Sequence, residues 1–291
     1  MKTTDIHIRD PFVLPRLAEK RYYLYGTTGA EAWTGAASGF DYYTSADLEN
    51  WDGPFPAFRP PTNFWADRNF WAPEVHVYHG RYYLFASFKA EGVCRGTQIL
   101  AADSPQGPFL PISAEPATPR TWECLDGTLF VDDADDQPWI VFCHEWVQVG
   151  DGEICALRLS ADLSSAIGEP HILFRASEAP WAQEFISKNR RGFVTDGPFL
   201  HRTTSGDLLM LWSSFGTGGY TIGVAHSASG DILGSWQQQP KPLYAGDGGH
   251  CMVFRAFDGQ LWLTFHRPNQ TPDERPQFVR LRENGTSLEI V

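Results

Sequence analysis

Apolar residues in this chain fall in short aromatic and β-branched runs, broken by Gly, Pro, Asp and Asn, and sustained helical spacing is hard to find. That pattern predicts strands rather than helices. The clearest runs are RYYLYG at 21–26, RYYLFA at 81–86, PWIVFC at 138–143, DLLMLW at 207–212 and QLWLTF at 260–265. A turn signal stands just upstream of four of them: His79-Gly80, Asp135-Asp136, Ser205-Gly206 and Asp258-Gly259. Ahead of each turn lies another short run, and downstream a third strand is predicted at 40–44, 97–101, 154–158, 220–224 and 277–281.

One unit of loop, strand, turn, strand and usually a third strand therefore recurs five times, with starts near Asp10, Ala72, Asp126, Asp196 and Gly249. A spacing of roughly 55 to 70 residues is close to that of propeller blades. The predicted fold is all-β, a five-bladed β-propeller occupying 1–291 as a single domain, with a site at the central axis. A four-layer sandwich or two β domains are the competing arrangements. In radial blades the first strand of each lies nearest the axis, so the five unit starts converge.

Composition narrows the partner. A net charge of −12 argues against nucleic acid and against an anionic membrane surface. Aromatics at 14% suit either a wide β core or a surface on which flat ligands stack. Five cysteines without a CxxC pair read as reduced thiols. The N-terminal stretch lacks the apolar core of a signal peptide and no apolar run approaches a membrane span, so a soluble, cytoplasmic protein is expected.

The unit starts carry the chemistry. Asp10, Asp126 and Asp196 open units one, three and four at equivalent places of the repeat. Aspartate beside Pro or Gly is also a common turn cap, which explains any one of them alone. Three aimed at one axis are better explained as a functional cluster. Crowded, poorly hydrated carboxylates repel, so one keeps its proton near neutral pH, and such a pairing is what glycoside hydrolysis uses. Trp71, at the unit-two opening, is placed to stack on a sugar ring, and Arg267 ends a unit-five strand within reach of a carboxylate or hydroxyl. Phe70, Trp33 and Trp146 are rim candidates for which core packing is the better expectation.

RDPF, YYLYGTT, FDYYTSADLENW, FWAPEV, YYLFAS, LDGTLFVDD, DGPFL and the late GGHCMVFR occur in this order over nearly the whole chain. In this order the chain resembles glycoside hydrolase family 43, five-bladed propellers acting on arabinose- and xylose-containing glycans. The resemblance implies that Asp10 is the general base and Asp126 the carboxylate that orients the acid. The acid in this family is usually the Glu of an EGP motif, and here that motif reads Thr195-Asp196-Gly197-Pro198. Asp196 is the expected acid. Glu145 is the first candidate for a displaced one, ahead of Glu123, Glu184 and Glu178. His250 takes the fifth convergent position, which in similar enzymes lies near water or calcium. A structural Ca²⁺ near the axis is thus an expectation, and no cofactor is required.

The leading functional expectation is an inverting hydrolase of α-L-arabinofuranosyl or β-D-xylosyl linkages in oligosaccharides or polysaccharides. The alternatives are a non-catalytic or degenerate glycan-binding propeller and a protein-interaction platform. Asp132–Asp136 lacks the glycine and distal Glu of a calcium loop and reads as a hairpin turn.

Overall fold

A computed structural model describes residues 1–29, 32–132, 135–187 and 190–291. Blade 1 is β1 (Arg9–Arg16), β2 (Arg21–Thr27), β3 (Phe40–Ser45) and β4 (Trp51–Phe58). Blade 2 is β5 (Arg68–Tyr78), β6 (Arg81–Ala90), β7 (Val93–Ala102) and β8 (Leu110–Pro111). Blade 3 is β9 (Cys124–Val131), β10 (Pro138–His144), β11 (Glu153–Leu159) and β12 (Ala166–Arg175). A hairpin of β13 (Phe185–Ser187) and β14 (Arg190–Gly192) precedes blade 4, which is β15 (Asp196–Arg202), β16 (Leu208–Gly216), β17 (Gly219–Ser227) and β18 (Trp236–Gln238). Blade 5 is β19 (Gly249–Arg255), β20 (Leu261–Arg267), β21 (Arg275–Asn284) and β22 (Ser287–Ile290). Each blade is one antiparallel sheet in chain order, and the five form a five-bladed β-propeller.

The three predicted strands are present in every blade. The fourth, outermost strand escapes prediction because it carries little apolar pattern. β8 and β18 have 2 and 3 residues, β4 contains Pro54 and Pro56, and β12 is mostly exposed. Short, proline-bearing or polar edges resist pairing with other chains. The Asp136 N–H donates to Asp132 O at 2.9 Å, and residues 133–134 of the expected hairpin turn lie outside the described ones.

Apolar side chains fill the gaps between blades. Phe88, fully buried, meets Phe40 and Phe58 of blade 1 and Phe70 of its own blade at centroid distances of 4.8–5.8 Å. Among the described residues no strand is shared between blade 5 and blade 1, and aromatic packing helps to close the ring. Tyr22 stacks on Phe257 at 3.9 Å and its hydroxyl accepts the Phe257 N–H, while Trp51 stacks on Phe278 at 5.8 Å.

The strand starts repeat a second feature. Pairing slips near the beginning of every inner strand, and one residue there adopts a left-handed conformation: Asp10, Ala72, Asp126, Gly197 and His250, with φ between 48° and 55°. This is a β-bulge, and four of the five residues are not glycine, a costly choice that persists only when the surroundings impose it. Each bulge N–H donates to a side chain on the preceding blade. Ala72 donates to Thr27 Oγ1, Asp126 to Ser87 Oγ and His250 to Ser213 Oγ, each at 2.8 Å. Asp10 donates to His266 Nδ1 at 3.2 Å, which carries the ring across the blade 5–blade 1 seam. Gly197 differs, donating to the Asp126 carboxylate at 3.0 Å.

Candidate active site

The bulges turn side chains from blades that are not neighbours toward one another. His250 of blade 5 holds Nδ1 3.2 Å from Asp10 Oδ1 of blade 1 and 3.6 Å from Asp126 Oδ2 of blade 3. Residues of these three blades meet this way only at the axis. Asp196 of blade 4 joins them on the wall of a pocket of about 490 Å³. Asp10, Asp126 and Asp196 are thus brought together as the sequence predicts, but in a different register. Asp10 and Asp126 occupy the left-handed bulge position, whereas Asp196 stands one residue earlier and Gly197 takes the bulge. A Cβ at Gly197 would lie 2.8 Å from the His250 ring, so glycine is needed there for space as well as for φ.

The register shift gives the carboxylates different partners. Asp10 accepts from the Thr27 hydroxyl at 2.6 Å. Burial pushes its pKa up, but His250, Arg9 and Thr27 together outweigh that and leave it below the usual 3.8. Burial followed by the charge of Asp10 raises Asp126 well above the carboxylate range. Burial, then Asp126, raises Asp196 to about 7. Asp196 Oδ2 accepts from the Tyr220 hydroxyl at 2.9 Å, and burial keeps that phenol protonated. Gly249 makes room for this, since a Cβ there would sit 2.4 Å from the Tyr220 ring. Three buried carboxyl groups this close do not ionise together. Asp10 is held ionised, and Asp126 and Asp196, both raised, titrate as a coupled pair in which the charge of one holds the proton on the other.

His266 is a neutral partner rather than a cation. Its Nδ1 accepts the Asp10 N–H, Nε2 donates to Asn269 Oδ1 at 3.2 Å, and burial lowers its pKa to about 3. Its 3.6 Å approach to Asp10 Oδ1 is therefore not an ion pair.

Trp71 lines the pocket, with its indole N–H donated to Ala32 O and its ring 5.1 Å from that of Trp33. The Arg95 guanidinium packs on Trp71 at 3.8 Å and donates through Nε to Glu145 Oε2 at 3.4 Å. Glu145 lines the pocket and faces Asp196, but it is held by an arginine. The other displaced-acid candidates lie elsewhere: Glu123 pairs with Lys89 at 2.7 Å, Glu184 with Arg191, and Glu178 accepts the Arg175 N–H. Phe70 is core, as expected. Trp33 and Trp146 are not, because both line the pocket.

Arg267, expected within reach of a carboxylate or hydroxyl of the site, lies outside the pocket. Strand alternation along β20 sends His266 to the axis and Arg267 to solvent, so Arg267 is exposed and does not line the pocket. The arginine that does is Arg9, which lies 5.0 Å over Trp33 and pairs with Asn269 and Glu274. Nor does the donor set favour calcium. Among the described residues no group of three metal-ligating side chains is arranged around a common point. His250 presents a nitrogen to two carboxylates, where calcium takes six to eight oxygens.

Several lining residues carry no sequence signal. Tyr220 reads only as part of a third strand, and Thr27 as the end of a second. Phe185 arrives on the β13–β14 hairpin, stacked on Phe215 at 4.1 Å and meeting Trp146 edge-on at 5.8 Å.

The family model of the glycosyl hydrolases family 43 matches residues 5–284. The chain belongs to that family. The family-43 chain is similar in structure to an endo-arabinase from Bacteroides thetaiotaomicron VPI-5482, with 42% identity, a TM-score of 0.92 and coverage of 99% of this chain and 98% of that one. An endo-1,4-beta-xylanase from the same organism is 25% identical at a TM-score of 0.78, covering 100% of this chain and 96% of that one. A thermostable family-43 glycoside hydrolase is also 25% identical, at a TM-score of 0.81 and coverage of 98% and 92%. A search of curated protein sequences gives no match.

Proposed function

We propose that this family-43 glycoside hydrolase cleaves α-L-arabinofuranosyl linkages in arabinose-containing glycans, with inversion at the anomeric carbon. The observation that carries the reading is one pocket holding two carboxyl groups whose pKa values are pushed in opposite directions, Asp10 down and Asp196 up to about 7. Environments that separate two carboxyl groups in this way assign one as base and the other as acid. Asp196 gives its proton to the glycosidic oxygen as the bond to the anomeric carbon breaks. Asp10 takes a proton from the water that attacks that carbon from the opposite face. Asp126, through its bond from the Gly197 N–H, holds the start of the acid-bearing strand and keeps the Asp196 pKa up. Trp33, Trp71, Trp146 and Phe185 offer flat faces for sugar rings. The choice of arabinose over xylose follows the 42% identity to the endo-arabinase.

The test is hydrolysis of arabino-oligosaccharides and xylo-oligosaccharides by the wild-type protein and Asp10→Asn. Release of arabinose or its oligomers, lost by at least about 10³-fold in the variant, supports the reading. Release of xylose products alone would move the specificity to β-D-xylosyl linkages. Saturable sugar binding with no product would favour the binding-only alternative, which the short Asp196 side chain motivates.

A further inference from the structure

One link of the inter-blade hydrogen-bond ring uses a different acceptor, and it lies between two proposed catalytic groups. The acceptor side chains stand opposite the residue before each bulge: Thr27 opposite Arg9, Ser87 opposite Trp71, Ser213 opposite Asp196 and His266 opposite Gly249. In blade 3 that place, opposite Leu125, belongs to Cys143. Three hydroxyls and one imidazole are good acceptors, whereas a thiol is a poor one. Cys143 is fully buried, and its thiol is held protonated by that burial and by Asp126 and Asp196. The N–H that this position receives in the other blades, here that of Gly197, goes instead to Asp126 Oδ2 at 3.0 Å.

We propose that Cys143 is a positioning residue for the hydrolysis: by failing to accept the Gly197 N–H, it leaves that donor to orient the Asp126 carboxyl and to tie it to the strand that carries Asp196. The inference rests on the proposed roles of Asp126 and Asp196. The charged and titratable groups facing this pair are Asp10, Glu74, Arg95, His250, Tyr220 and Glu145, none of which receives the Gly197 N–H.

The discriminating substitutions are Cys143→Ser and Cys143→Ala. Serine is nearly isosteric and restores the hydroxyl acceptor of the other blades, so it captures the Gly197 N–H and unlatches Asp126. Alanine leaves a void but no acceptor, so the Gly197–Asp126 bond survives. Expected, therefore, is a loss of at least about tenfold in kcat for Cys143→Ser against no more than about threefold for Cys143→Ala, although alanine lowers the melting temperature more. The alkaline limb of the kcat/KM profile should move to lower pH in Cys143→Ser only. Without its donor Asp126 stays neutral over a wider range and no longer holds up the Asp196 pKa. Activity that falls in step with melting temperature, alanine below serine and both pH profiles unmoved, would overturn the proposal. The Gly197 amide proton gives a reading that needs no turnover. Its chemical shift should follow the Asp126 titration in the wild-type protein and in Cys143→Ala, and lose that dependence in Cys143→Ser. An amide that tracks the titration equally in all three refutes the placement, even if no glycan is hydrolysed.

Discussion

At the level of single residues, the pocket separates two chemically identical groups by what surrounds them. Asp10 has a histidine, an arginine and a hydroxyl to hold its charge, and Asp196 has a phenol and a neighbouring carboxyl. The acid must be protonated to act, so activity should fall as pH rises through about 7, the Asp196 value. The base must be ionised, and because Asp10 is lowered, the acid limb should lie below the ordinary aspartate range. A kcat/KM profile between pH 3 and 9 checks both signs. Tyr220→Phe removes a donor that favours ionised Asp196, so its alkaline limb should move to higher pH. Asp196→Asn should cost about 10²–10⁴-fold on natural glycosides but far less on aryl glycosides, whose leaving groups depart without a proton. If Glu145→Gln behaves that way and Asp196→Asn does not, the acid is Glu145. Asp10, Asp126, Asp196, Trp71, Glu145 and His250 were all legible in the sequence as pocket residues, because each stands beside a recognisable strand start or end. Arg267 was misplaced, because which face of β20 looks at the axis depends on a register that one strand does not reveal.

Among the elements, the bulge opening each inner strand does more for the site than the strands themselves. It places Asp10, Asp126 and His250 in left-handed geometry and lets their N–H groups bind the preceding blade. Asp196 misses this position by one residue because Gly197 occupies it, a difference the repeated Asp-Pro and Asp-Gly openings conceal. Gly197→Ala should therefore cost at least about 2 kcal/mol, from the left-handed φ and the close His250 ring, with a larger loss of activity than of folded protein. Denaturant unfolding followed by kinetics on the folded fraction checks this. The fourth strands and the β13–β14 hairpin were not legible. Their stability comes from the neighbour they pair with rather than from an apolar pattern of their own.

Across the whole molecule, the ring is held by apolar wedges between blades and by the axial hydrogen bonds. Phe88 touches aromatic rings from two blades, and Phe88→Ala should cost about 3–5 kcal/mol in unfolding free energy while leaving the shape of the pH profile unchanged. A shifted profile would mean that blade spacing tunes the carboxyl groups directly. What the sequence alone determined was the repeat, and with it the all-β propeller and the convergence of the strand starts, since turns and apolar runs are local and recur in order. Tertiary structure alone decided which carboxyl group holds the charge, which aromatics reach the pocket and where the Gly197 N–H goes. Those outcomes depend on distances between blades far apart in the chain, and on burial that exists only once the ring has closed.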